Sequence, residues 1–454
     1  MENAPLLWYN AGDEPSKPQS KGALSMKNYS RESGIAKAGI LRFCRRICKG
    51  LKRPAEKLVT NMLYGIASSN NCHLTEIARA LDEDITIKKT VDRLSRGLQQ
   101  YTDHEKLQEN YLRQVEQHID TNTIFPIDES DAAKPYSVAM EALHPVRDGS
   151  TGKTVPGYNT LEITALTHKT KIPLPVYERV YSAAEDGFLS QDDEVLKGLR
   201  FLSERFGHGG IRVMDRGYDA NVYMRYFIKA KERFIIRVKK NRVLRYNDQS
   251  VNIADLASRY KGKYAFKCTL NGKTVHCKIA EIPVHVPEFG KVPLFLNVVF
   301  GFGKEPMYLL TNCRSRNELH TVIAKMYLLR WRIEDHFRFK KQQFGFEDFR
   351  VRSLTAIRTL HQLVTILTGY LGLLSNEKDS VMTCILRDVA KPVPRHKSRS
   401  AKKILHYEIA SGFAWLLRKT TANLKALFPP VRWRTLSPQL SLFSHRAWRE
   451  LAAA

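Results

Sequence analysis

The chain has 454 residues, 43% hydrophobic and 26% charged, which is apolar enough for well-formed cores in two to four domains of ordinary size. Its formal net charge of +27 far exceeds what solubility needs and points to a large polyanion, nucleic acid fitting best because each neutralised phosphate releases condensed counterions. No long basic amphipathic helix stands beside a lipidation motif, so membrane-surface binding is the weaker reading, and seven scattered cysteines without a C-x-x-C pair argue against a disulfide framework or structural zinc and suit a reducing cytoplasm.

In chain order, "MENAPLLWYNAGDEPSK" lacks the basic and apolar regions of a signal peptide. Residues 1–54 mix Gly, Ser, Pro and Lys before turning basic at "RFCRRICKGLKRP", the pattern of a loosely ordered basic arm. Residues 55–120 read as helical. Within them "HLTEIARALDEDITIKKTVDRLSRGL" predicts two short helices, with Thr75 capping the first and Lys88, Lys89, Arg93 and Arg96 on the second. A DNA-binding helix-turn-helix and an ordinary helical hairpin with a solvated basic face fit equally.

Residues 121–241 turn strand-rich at "TIFPIDESD" and "YNTLEITALTH", where Pro126 removes a ladder donor and predicts a bulged or late-starting strand. A helix near Asp192 to Phe206 precedes "IRVMDRGYDANVYMRYFIKAKERFIIRVKKN", a β-α-β unit with its helix from about Ala220 to Ala230. Over 242–314 the period is two. "YAFKCTL-NG-KTVHCKIAEIPV" predicts a hairpin around Asn271-Gly272, and "VPLFLNVVF" and "EPMYLL" add strands, giving a β-rich insertion. Residues 315–375 complete the α/β region, and 376–454 are mostly helical, interrupted by "KPVPRHKSRSAKK". "LTAIRTLHQLVTILTGYLGLL" has the length of a membrane span, but Arg358, His361 and Gln362 make it a buried core helix. The fold class is α/β, a mixed sheet flanked by helices.

The segment "YLLRWRIEDHFRFKK" poses the functional question. At about 100° per residue Tyr327, Arg330, Glu334 and Lys341 fall on one stripe, while Val322, Met326, Leu329, Ile333, Phe337 and Phe344 form the core-facing stripe. Phosphodiester cleavage and strand transfer need clustered carboxylates to hold two Mg²⁺ ions, and Asp128, Asp215 and Glu334 are the candidates. Asp128 could instead be a turn residue with Glu129 or Asp131, and Asp131 is the alternative first ligand. Asp215 could cap the next helix, as could Asp219. Glu334 could simply pair with Arg330 and Arg338, which leaves Tyr327 and Lys341 unexplained. Arg237, Lys239 and Lys240 in "RVKKNR" fit a DNA track or a lysine-guarded edge strand. Trp331 and Trp415 suit core packing better than base stacking, and His168 and His336 suit structural roles.

The motif Y-x2-R-x3-E-x6-K, met by Tyr327, Arg330, Glu334 and Lys341, resembles the signature of the Asp-Asp-Glu transposases of bacterial insertion sequences, in the group named after insertion sequence four. "DRGYD" and "IDESDAAKPY" resemble that family's other two acidic blocks, in the right order, over roughly residues 121–366. The resemblance implies a ribonuclease-H-like fold with a five-stranded mixed sheet. It places Asp128 on the first strand, Asp215 after the fourth and Glu334 on a late helix, together holding two Mg²⁺ ions, with Mn²⁺ as a substitute. Cut-and-paste transposition at terminal inverted repeats is implied too, through a hairpin intermediate, with Tyr327, Arg330 and Lys341 on phosphates. The partners implied are double-stranded DNA, as element ends and target, and a second copy of the chain in the synaptic complex. A hydrolysis-only nuclease and an inactive DNA-binding descendant are the alternatives.

Overall fold

Period-two alternation in the middle of the chain becomes one large mixed sheet surrounded by helices in the computed structural model, which describes residues 29–166, 172–270, 273–314, 321–376, 380–390 and 405–428. Among the described residues five helices come first: α1 (Ser30–Ile47), α2 (Arg53–Ser69), α3 (Leu74–Leu81), α4 (Ile87–Gln99) and α5 (His104–Val115). α1 lies where a loosely ordered arm was expected. Its Ala36, Ile40, Phe43 and Ile47 form a buried stripe, and Phe43 packs on Tyr370 with ring centroids 4.6 Å apart. Arg42, Arg45 and Arg46 remain outside, so the charge that suggested disorder is the solvent side of an amphipathic helix. Thr75 falls inside the first turn of α3 and caps nothing; the capping hydroxyl is that of Thr86, which accepts from the Lys89 amide at 3.4 Å to start α4. Lys88, Lys89 and Arg96 are exposed, while Arg93 pairs with Glu83 at 2.7 Å.

The central elements are β1 (Ile124–Ala133), β2 (His144–Arg147), β3 (Thr154–Leu166), β4 (Pro173–Tyr181), α6 (Gln191–Phe206), β5 (Ile211–Met214), α7 (Asn221–Lys229) and β6 (Phe234–Arg237). They are followed by β7 (Val243–Tyr246), β8 (Gln249–Asn252), α8 (Ile253–Ser258), β9 (Tyr264–Leu270), β10 (Lys273–Val284), β11 (Leu294–Phe300) and β12 (Met307–Thr311). The main sheet runs β2-β3-β1-β5-β6-β12-β11-β10-β9, with β4 also on β3. β1, β5 and β6 are parallel, and β3 is antiparallel to β1. β1 passes through Pro126 in unbroken register, from Ile124 opposite Leu166 to Ala133 opposite Gly157, and the expected bulge is absent from it; an irregularity falls instead between Ile163 and Thr164 where β3 meets β4.

The 242–314 segment extends this sheet. Only β7 and β8 form a separate ribbon, whereas β9 to β12 continue outward from β6 and bring the sheet to ten strands rather than five. β6 is therefore interior, and the edge-strand reading of "RVKKNR" does not hold. β9 and β10 pair up to Leu270 opposite Lys273; the Asn271-Gly272 turn lies outside the described residues, as does "KPVPRHKSRSAKK".

The last helices of the described residues are α9 (Val322–Leu329), α10 (Arg332–Phe344), α11 (Leu354–Asn376), α12 (Val381–Ala390) and α13 (Leu405–Arg418). α11 is a buried core helix, and among the described residues no helix is long and apolar enough to cross a membrane. Strand alternation separates two cores: Phe125, Ile127, Met214 and Ile236 belong to the larger one, and Ile124, Val213, Ile235 and Leu309 to a second that includes Tyr327 and Leu328 of α9.

The single helix expected through Glu334 is broken. The amides of Arg330, Ile333 and Glu334 bond three residues back, to Tyr327, Arg330 and Trp331, at 2.9, 3.0 and 3.1 Å. Such turns wind about 120° per residue instead of about 100°, which re-phases the two halves. α10 buries Ile333, Phe337 and Phe344 as expected, but α9 buries Ile323, Ala324, Tyr327 and Leu328 and leaves Val322, Met326 and Leu329 half-buried.

α11 approaches α5 so closely that a Cβ at Gly369 would stand 1.9 Å from the Tyr111 hydroxyl, which is held by its bond to the Pro175 carbonyl at 2.9 Å. Gly369→Ala is expected to lower stability by about 1–3 kcal/mol through overpacking, measured as the denaturant midpoint. Helix propensity alone would raise it by about 0.5–1 kcal/mol.

Candidate active site

Strand register builds the site. Asp128 on β1 lies opposite Glu162 on β3, and Glu162 lies opposite Glu178 on β4. Ile127 pairs with Met214, so Asp215, the first residue past β5, comes beside Asp128. Paired residues share a face of the sheet about 5 Å apart, so four carboxylates form a row. Like charges at that spacing repel, and each half of the row is answered by different bases.

Glu162 and Glu178 are answered by α10 and α11. Glu162 accepts from the Lys340 ammonium at 2.7 Å and from His336 Nε2 at 2.6 Å. Lys340 also reaches His361 Nε2 at 2.9 Å and Thr365 Oγ1 at 2.7 Å, which uses all three of its hydrogens. His361 Nδ1 bonds Glu178, and its Nε2 also lies 3.1 Å from Glu162 Oε1. Burial alone would raise the Glu162 carboxyl, but Lys340 and His336 hold it well below the usual range.

Asp128, Asp215 and Glu334 share one base. Arg330 lies in the joint between α9 and α10, its side chain 4% exposed, and bonds Asp128 Oδ2 at 2.5 Å and Glu334 Oε1 at 3.1 Å. Asp215, held by the Gly217 amide at 2.6 Å, acts electrostatically on both Asp128 and Arg330. Burial pushes the Asp128 carboxyl up to about 6 despite Arg330, with Asp215 adding to the rise. Burial likewise takes Glu334 to about 7 against the pull of Arg330, and Asp128 raises it further. Three carboxylates against one guanidinium make a surplus of hard oxygen donors that a divalent cation would relieve, so the donor set fits the expected metal chemistry.

The geometry differs from the expected cluster. Among the described residues no three His, Cys, Asp or Glu side chains stand close enough to hold one ion; the Arg330 guanidinium lies between Asp128 and Glu334. Arg330 Nε and Trp331 Nε1 are buried without hydrogen-bond partners, a cost of about 1–3 kcal/mol each that an arriving anionic oxygen would remove.

Tyr327, Arg330, Glu334 and Lys341 do not share an exposed stripe. Tyr327 is 1% exposed in the second core, with Arg330 6.0 Å from its ring centroid, and as folded here neither it nor the buried Arg330 forms a surface contact. Lys341 is half-buried and pairs with Glu347 at 2.6 Å, with Asp131 3.8 Å away. Asp131 lies opposite Asn159, three residues beyond Asp128, and does not join the group around Arg330. Asp219 caps nothing: it accepts from the Lys239 amide at 2.7 Å and pairs with Arg242, securing the turn after β6. Arg237 ends β6 half-buried; Lys239 and Lys240 are exposed, Lys240 pairing with Glu305 at 2.9 Å. Trp331 lies beneath Arg330 at 5.2 Å, and Trp415 packs on Tyr29 at 5.3 Å. His168 is outside the described residues. Glu162 and Lys340 are not singled out from the sequence, and His361 only as an interruption of an apolar stretch; their signal is a charged or polar residue set where the local period calls for an apolar one.

The raised carboxyls fix the sign of a pH effect. A group whose folded pKa exceeds its unfolded value binds more protons in the native state, so its contribution falls as pH rises through the folded pKa. In metal-free buffer, Glu334→Gln should therefore gain stability relative to the parent at pH 8 and not at pH 5, read as the difference in Tm between the two proteins across that range.

Residues 184–368 match the family model described as the transposase DDE domain. No curated protein matches the chain. Among solved structures, the chain is similar to a piggyBac transposase in a synaptic complex with hairpin DNA, determined by cryo-EM, at 12% identity and a TM-score of 0.44, over 91% of this chain and 83% of that one.

Proposed function

We propose that the protein is a Mg²⁺-dependent DNA transposase that excises an insertion sequence at its terminal inverted repeats and joins it to target DNA. The observation that carries this reading is that half-buried Asp128 and Glu334 both bond the buried guanidinium of Arg330, with Asp215 acting on it electrostatically. It is supported by the match of residues 184–368 to the transposase DDE domain and by the net charge of +27. The strand order β4-β3-β1-β5-β6, with β3 alone reversed against the parallel β1, β5 and β6, supports a ribonuclease-H-like reading of the sheet's core.

Asp128, Asp215 and Glu334 are the residues that would hold the ions. Two bound divalent ions supply an activated attacking oxygen and stabilise the leaving one. Arg330 leaves the carboxylates for a phosphate, which its fork can grip through two parallel bonds, and its unpartnered Nε gains an acceptor. Tyr327 reaches the same phosphate through rearrangement at the joint before α10. Lys341 adds a point charge beside the site, and Arg237, Lys239 and Lys240 guide backbone leaving it past β6. The exposed bases of α4 bind DNA further from the chemistry, and a second copy of the chain holds the other element end.

The test uses oligonucleotides carrying the element's ends with Mg²⁺ or Mn²⁺. Loss of one ligand removes several kcal/mol of transition-state stabilisation, so Asp128→Asn and Glu334→Gln should each slow cleavage ~10²–10³-fold while retaining DNA binding. Precleaved ends should join to target DNA with the parent protein. Cleavage without joining would leave a hydrolysis-only nuclease, and DNA binding with neither activity an inactive descendant.

A further inference from the structure

We infer that Glu162, gripped by Lys340 and His336, is a positioning residue that sets Glu334 against Asp128. The inference rests on the active-site reading above and concerns residues that take no part in the chemistry. α10 needs an anchor of its own, because the tight turns at Arg330 and Trp331 interrupt the helix just upstream and loosen its coupling to α9. That anchor is two-pronged. His336 and Lys340 stand one turn apart on α10 and both end on Glu162, at 2.6 and 2.7 Å, which fixes the helix in rotation and along its axis.

The anchor's other end lies one strand from the first catalytic carboxylate, since Glu162 is the direct cross-strand partner of Asp128. Glu334, in the first turn of α10 and two residues before His336, is thus referenced to Asp128 through a single peptide ladder and two side-chain bonds. Thr365 and His361 of α11 take the remaining Lys340 hydrogens, at 2.7 and 2.9 Å, so the ammonium has one orientation. Stability alone gives little reason for such a network. Buried ion pairs are commonly replaceable by apolar residues of similar volume without loss, and the Phe346 ring already packs against both Lys340 and His361. A fixed geometry is what an apolar replacement could not supply.

The experiment compares the full-length parent with Glu162→Gln, Thr365→Val, Asp128→Asn and Glu334→Gln, measuring DNA binding, single-turnover cleavage, Mn²⁺ affinity by titration, and the unfolding midpoint. Glu162→Gln is expected to cut about 10–100-fold more slowly and to need correspondingly more Mn²⁺, with DNA affinity unchanged; Thr365→Val should shift both quantities the same way by a few-fold. A folded Glu162→Gln protein that cleaves at the parental rate with parental Mn²⁺ affinity overturns the proposal, even if its unfolding midpoint drops, because a merely structural role predicts that result. If Glu162→Gln does not fold, Thr365→Val decides by the same two readings. If Asp128→Asn and Glu334→Gln cleave normally, the active-site reading itself falls and takes this inference with it, whereas normal cleavage by the Glu162 and Thr365 variants alone removes only the inference.

Discussion

Four carboxylates in neighbouring positions across one face of a sheet repel one another, and the architecture around Asp128 follows from how that repulsion is met. Glu178 and Glu162 are neutralised by bases carried on α10 and α11, through bonds from His336, Lys340 and His361. Asp128 and Glu334 are bonded by Arg330, which Asp215 also faces electrostatically, with Arg338 adding a weaker pull on Glu334. One half of the row is therefore locked and the other is left short of positive charge. A buried polar network is rigid when complete and responsive when it is not, and here the two conditions stand side by side, one strand apart.

That asymmetry organises the helices. α10 is clamped to β3, while the joint before it carries the group most poised to change partners. Arg330 is buried, bonded to two carboxylates and left with an unpartnered Nε. Its neighbours Tyr327 and Trp331 are packed against it. The tight turns at this point let α9 and α10 bury different faces against two separate cores, and they place the guanidinium that bonds Asp128 and Glu334 where the backbone departs from ideal helix.

Much of this was legible in the sequence. Period-two and helical periodicity located β1, β3, α6, β5, α7, β6 and the hairpin strands β9 and β10, because each buries one face and its residue pattern records which. Asp215 was marked by its place at the end of an apolar strand before a glycine. The failures share a cause. In α1 the charge outweighs a stripe of only a few apolar residues, so composition suggests a loose arm, and a wheel drawn at one pitch cannot register the local change of winding that breaks the helix through Glu334. Tyr327 was placed outside for the same reason. Glu162 passed unnoticed since a single acid in a strand gives no hint of what lies across from it.

The sequence by itself determined the α/β class, the excess of positive charge and the elements on which Asp128, Asp215 and Glu334 lie, all of which depend on residue type and local spacing. Only the tertiary structure decided that Asp128, Glu162 and Glu178 stand in a row, that β9 to β12 extend the sheet, and that Arg330 occupies the space between Asp128 and Glu334. Those facts depend on strand order and register, which join residues tens to hundreds of positions apart, and no local period in the chain encodes which strand a given strand will meet.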